Sequence, residues 1–307
     1  MKFQRNSKYR VLVLLICALI ISACAAPTAQ PTAETPEMGT LLDLEAKGSA
    51  FEVIQGGYRF EAPYGSDVSI AASGTLISAL DSSLLFSLNG INEMSAEKSD
   101  EEILETLLKS LFSGEQSSYK KSNIISASLE GYEGAAYDFT GKFLGSQVEG
   151  RALVVKPEAK RYVSILGMAI VEENQALWAT TGKEAFNYLL SRFRILPAEA
   201  LKTAVVCPVS PNAAYGFSPE EAVKVGGGLL SGPLRERAYL DNLLASSGAP
   251  ISYTWARSVE TPDGIVDEYT LTVNGKEVTL YLDQYSYGVI NAPRGFGCMG
   301  AFPISEP

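Results

Sequence analysis

One helix stands out in the hydropathy pattern, at SDEEILETLLKSLFSG. Ile103, Leu104, Leu107, Leu108 and Leu111 form a single apolar stripe. Ser99 and Glu102 make a capping box, acids crowd the first turn, and Gly114 ends the helix. Runs with a period of two lie on either side. GGYRFEAPYG (closed by Pro63), VSIAA and SLLFSLNGI come before; SNIISASLEG, YEGAAYDFTGKFLG, SQVEGRALVVKPE and KRYVSILGMAIV come after, joined by Gly or charged turns. A second helix is predicted over NQALWATTGKEAFNYLLSRFRIL. This order predicts an α+β fold with a mostly antiparallel sheet over residues 51–196.

The clearest local signal comes later, in EYTLTVNGKEVTLYLDQY. Two alternating runs flank Asn274-Gly275, which suits a type I′ turn. That turn sets Val273 opposite Lys276, Leu271 opposite Val278 and Tyr269 opposite Leu280, giving a continuous apolar face. PISYTWARSVETPDG reads as another strand, and a helix is predicted from Pro233 to Ala245. Residues 215–307 are thus expected to form a small α+β domain with an antiparallel sheet. The proline-bearing stretch 197–214 reads as a linker. Residues 24–50 contain AAPTAQPTAETPEMGT, too poor in apolar groups to offset ordering entropy, and read as a disordered tether.

The first 23 residues have a basic start (Lys2, Arg5, Lys8, Arg10) and an apolar run from Val11 to Ile21, shorter than the roughly 20 residues that span a bilayer. The run ends in IISACAAP, with Ile21, Ser22 and Ala23 before Cys24. This resembles the bacterial lipoprotein signal. The resemblance implies cleavage before Cys24, acylation of that cysteine (diacylglycerol, usually a palmitate-type third chain), and sorting to the outer membrane in a two-membrane cell. The pieces YRFEAPYG, LEGYEGAAYDFTG, RYVSILGMA and FNYLLSRFRIL resemble the PsbP-like fold, which includes the photosystem II extrinsic protein and a Ran-binding import factor. That likeness implies an αβα sandwich with the sheet in the middle, and binding or assembly roles. It carries over no catalytic residue. Residues 215–307 also look like a domain of uncharacterised bacterial proteins.

Charge narrows the partners. Loss of the first 23 residues leaves 21 basic against 35 acidic groups, a formal charge of −14. Nucleic acid is therefore not an expected partner, because phosphate contacts need clustered Lys and Arg. The chain has no histidine, which excludes His-based acid–base catalysis, Ser-His-Asp triads and His metal sites. No cofactor or metal site is read.

Candidate chemistry is sparse. In AVKVGGGLLSGPLRERAYLDNLL, Gly227 and Gly232 have P-loop spacing, but Pro233 stands where the lysine must be. Gly226 and Gly228 begin a dinucleotide fingerprint that Ser231 breaks. Helix-start chemistry fits better, with Ser231 as N-cap, Pro233 in the first turn and the glycines supplying positive φ. The residual reading is an anion at Gly227, Gly228, Ser231 and Arg235. Ser117 with Lys120, and Ser118 with Lys121, match S-x-x-K in a polar turn. Glu260, Asp263, Asp267 and Glu268 lack EF-hand spacing. Tyr253, Trp255, Tyr281, Tyr285 and Tyr287 are either core or a platform for a carbohydrate or peptide. With Cys17 lost and Cys24 acylated, Cys207 and Cys298 remain as a disulfide pair outside the cytoplasm.

The sequence reading is a lipid-anchored extracytoplasmic binding or assembly protein without catalytic activity. Its partners are the membrane, through the anchor, and an envelope protein or glycan. The alternative is a carboxylate-dependent surface hydrolase acting on glycan or peptidoglycan, which needs two carboxylates facing each other in a cleft.

Overall fold

The computed structural model describes residues 42–71, 74–94, 96–114, 116–171, 177–203 and 207–306. Its central feature is an antiparallel sheet of β3 (Ser66–Ala71), β4 (Gly74–Ala79), β5 (Leu84–Ile91), β10 (Arg161–Ile170), β9 (Ser146–Glu158) and β8 (Tyr132–Phe143), in that spatial order. The far edge is shared by β6 (Ser118–Lys121) and β7 (Ile125–Leu129), which pair with successive parts of β8. β5 alternates strictly between buried and half-buried residues, so each of its faces meets a different layer.

Helix α1 (Asp100–Leu111) covers one face. Ser99 accepts from the Glu102 backbone and Glu102 accepts from the Ser99 backbone, the capping box read from the sequence. Ile103, Leu104 and Leu108 pack with Tyr137, Phe139, Val154 and Met168. On the opposite face, a five-residue π-helix (Trp178–Gly182) runs into α2 (Lys183–Ser191). Here Trp178, Phe186 and Leu189 join Phe86, Leu88, Val163 and Ile165. A small sheet of β1 (Ser49–Val53), β2 (Tyr58–Ala62) and β11 (Arg194–Ile195) completes this side. The second predicted helix thus ends sooner than its pattern implies: Arg194 and Ile195 leave it to pair with Arg59 and Tyr58.

The later part of the chain builds a second sheet, β12 (Val223–Lys224), β16 (Lys276–Asp283), β15 (Gly264–Val273) and β14 (Ser252–Thr261). The hairpin register is the one read from the sequence, with Val273 opposite Lys276 and Tyr269 opposite Leu280, and Asn274 and Gly275 both have positive φ. Two expectations are corrected. The sheet is not wholly antiparallel, because β12 pairs parallel with β16. The helix, α4, runs Gly228–Asn242 and not Pro233–Ala245. It starts early because Gly227, at φ 104°, turns the chain and Gly228 N–H reaches the Gln284 carbonyl at 2.6 Å. It ends early because Leu243–Ala245 form β13 against β17 (Phe296–Cys298). Ser231 and Pro233 therefore lie inside the helix, and Ser231 is not its N-cap.

The segment read as a linker carries α3 (Ala198–Thr203) and Cys207, which is joined to Cys298 with Cα atoms 5.5 Å apart. Residues 42–50, read as part of the tether, pack on the fold: Leu42 is buried, Asp43 accepts from the Glu45 and Ala46 backbones, and β1 starts at Ser49. Residues 42–306 lie in one compact unit. Across it, Arg237 pairs with Asp67 at 2.6 Å, Asn242 donates to the Ile70 carbonyl, and one hydrophobic cluster includes Phe60, Phe86, Tyr239 and Leu271.

Candidate functional site

A concavity of about 410 Å³ lies on the π-helix side of the main sheet. Its floor is polar. Lys120 of β6, Thr140 of β8 and Glu149 of β9 stand in one cross-strand row. In the next row Asp138 of β8 faces Arg151 of β9, and the two form a bidentate pair at 2.7 and 3.0 Å. The pair holds the Arg151 guanidinium above its ordinary range. Period-two alternation explains this floor: Tyr137 and Phe139 point to α1, so Asp138 and Thr140 point the other way.

The wall comes from the π-helix. Trp178 is buried against the sheet, and Lys183, which follows the π-helix directly, is exposed at the rim. Two glycines let the indole lie so close. A Cβ on Gly182 would come within 2.6 Å of the Trp178 ring, and one on Gly167 within 3.0 Å. Lys120, Lys183 and Glu149 take part in none of the ion pairs among the described residues. The neighbouring Lys121 is committed elsewhere. Its Nζ donates to Tyr137 at 2.7 Å and to Glu105 at 2.9 Å, which raises its pKa. Ser118 and Lys121 are both in β6, three residues apart, so they occupy opposite faces and cannot act as a dyad.

A second polar group is buried between α4 and the smaller sheet. Glu236 is 1 % exposed, and its Oε2 accepts from the Tyr269 hydroxyl at 2.8 Å. Burial pushes its carboxyl up to about 8, with Tyr269 opposing and the charges of Asp267 and Asp283 reinforcing the shift. Glu236 Oε1 and Gln284 Oε1 are buried without hydrogen-bond partners. Asp267 Oδ1 accepts from Trp255 Nε1 at 3.1 Å and from Ser258 Oγ at 2.6 Å. Among the described residues no group of three or more Cys, Asp or Glu is arranged to hold a metal.

The residues singled out in the sequence are dispersed. Arg235 is buried, donating to the carbonyls of Val225, Ala50 and Ser305, and burial pushes its pKa down to about 10. Gly228 N–H is taken by Gln284 and Ser231 N–H by Gly227. The anion-site reading thus loses its cation to a clamp on three backbone carbonyls. The aromatic set does not form one platform. Tyr253 and Trp255 share one face of β14, Tyr253 half-buried opposite Leu271 and Trp255 exposed opposite Tyr269, and the Tyr253 hydroxyl donates to Asp241 at 2.7 Å. Tyr281 lies opposite Glu268, on the other face. Tyr285 and Tyr287 follow β16, where Tyr287 bridges Val225. Cys24 lies outside the described residues. Sequence reasoning missed the cavity, whose only advance signal was the run of polar residues alternating through β6, β8 and β9.

No family model matches the chain, and no curated protein matches it significantly. Solved structures give distant likenesses. Cyanobacterial PsbP (CyanoP) from Synechocystis is 17 % identical over 54 % of this chain and 99 % of its own, with a TM-score of 0.37. The Ran-binding protein Mog1p of Saccharomyces cerevisiae is 8 % identical over 50 % and 97 %, with a TM-score of 0.37. LpqN of Mycobacterium tuberculosis, involved in cell envelope biogenesis, is 16 % identical over 50 % and 87 %, with a TM-score of 0.26.

Proposed function

We propose that this chain is a lipid-anchored extracytoplasmic binding or assembly protein, that residues 51–196 form a PsbP-like αβα unit, and that the cavity beside the π-helix is its recognition site. The supporting observation is the cavity itself: an open concavity with a polar floor and three charges that take part in no ion pair among the described residues. An acylated Cys24 would hold the protein at the membrane, and no helix among the described residues is long and apolar enough to cross one. The partner on this reading is an envelope protein or glycan.

The hydrolase alternative draws on Glu236, an acid with a raised pKa near Asp267. A substrate would have to reach a carboxyl that is 1 % exposed, which places this reading second. Hydrolysis of peptidoglycan fragments by the wild type and its loss in Glu236→Gln would reverse the order.

A photo-reactive residue at Thr140, in full-length protein in its own envelope, tests the first reading. The expected outcome is a discrete crosslinked species from Thr140 and none from Leu80, which is 79 % exposed in a turn elsewhere. Equal capture at both positions, or none at Thr140, sinks it.

A further inference from the structure

We infer that the cavity beside the π-helix takes a small zwitterion, a ligand with an anionic group and an ammonium group close together. The inference rests on the reading of this cavity as the recognition site and adds the chemistry of its ligand.

Three observations carry it. The first is the balance of charge. Arg151 neutralises Asp138, and Glu105 neutralises Lys121, so among the described residues the unpaired charges at the cavity are Lys120, Lys183 and Glu149. Two cations meet an anion; a purely anionic ligand would leave Glu149 opposed, and a purely cationic one would leave both lysines opposed. The second is origin. Lys120 comes from β6, Glu149 from β9 and Lys183 from the start of α2, so three separate elements converge on one concavity. Thr140 stands between Lys120 and Glu149 with a hydroxyl able to donate or accept. The third is the π-helix. Such turns are rare and collect at functional sites. This one needs Gly182 and Gly167 to seat Trp178, and it delivers Lys183 to the rim. About 410 Å³ is room for a small molecule, or for one such group carried on a larger partner.

The same chemistry occurs in free amino acids and in the phosphoethanolamine headgroup of a membrane lipid. Titration calorimetry on the full-length protein in detergent, with alanine and with glycerophosphoethanolamine, separates the two. Acetate, phosphate and methylammonium serve as single-charge controls. The expected result is saturable binding of one of the two zwitterions, at least tenfold tighter than any control. Lys183→Ala and Glu149→Gln should each weaken it at least tenfold without moving the unfolding midpoint. The preferred zwitterion identifies the source. If phosphate or acetate binds as tightly as either zwitterion, and Glu149→Gln leaves that binding unchanged, the zwitterion is wrong and the site is an anion site. If none of the probes binds, the inference fails, while a Thr140 crosslink would still stand for the recognition reading.

Discussion

The Tyr269 hydroxyl donates to Glu236 Oε2 at 2.8 Å and ties α4 to β15 inside the protein. It is the only hydrogen bond the Glu236 carboxyl makes among the described residues, since Oε1 is buried and unpartnered. An acid in this position is held neutral because its charged form would lose hydration with no cation in exchange.

The consequence is a pH-dependent stability of definite sign. The folded pKa of Glu236 is raised from 4.5 to about 8. The folded state therefore keeps its proton where the unfolded state has released it. Stability from this group is complete below about pH 4.5 and falls as pH rises through 8, by up to about 1.4 kcal/mol per pH unit in between. Urea midpoints at pH 5, 7 and 9 should fall in that order, and Glu236→Gln should flatten the slope. A wild-type slope that persists in Glu236→Gln assigns it to another group. Tyr269→Phe removes the bond that lowers this pKa, so its decline should extend to higher pH.

Cys207 and Cys298 close a loop with a sequence separation of 91, and Cys298 sits in β17, opposite Leu243. Reduction should therefore lower the unfolding midpoint, with an upper bound of about 4–5 kcal/mol from chain entropy. Non-reducing peptide mapping checks the bond. Complete alkylation of both thiols in unfolded, unreduced protein would mean that it is absent.

Arg235 donates to carbonyls of β1 and of the C-terminal segment, while Arg237 reaches Asp67. Cutting the chain between Pro197 and Val206, which leaves Cys207 on the same fragment as Cys298, should leave two fragments that still co-elute under native conditions. Arg235→Met removes the clamp and orphans three carbonyls, so its cut fragments should separate more readily and the intact variant should lose about 2–4 kcal/mol. Fragments that separate at once in the wild type would favour two independent domains.

Lipidation is checked directly. Mass spectrometry of the membrane fraction should find a mature chain beginning at acylated Cys24. Cys24→Ser should leave the precursor uncut or release the protein. A Cys24→Ser protein that is processed and still membrane-bound rules out the anchor.

Local features were legible in the sequence. The α1 capping box, the apolar stripe of Ile103, Leu104 and Leu108, and the hairpin register at Asn274-Gly275 depend on residues within a few positions of one another, and short-range sterics and hydrogen bonding decide them. The Cys207–Cys298 bond was legible by elimination. Other features depended on partners far along the chain. Gly228 starts α4 because the Gln284 carbonyl waits for its N–H, although Ser231 and Pro233 make a good local start three to five residues later. Glu236 looks like any helix-surface acid until Tyr269 and the second sheet bury it. The cavity needed β6, β8, β9 and the π-helix to be brought together, and each alone shows only a polar residue on an ordinary strand or helix. Sequence determines which backbone each segment prefers; which charges are left unneutralised, and facing what, is decided only when distant segments share a surface.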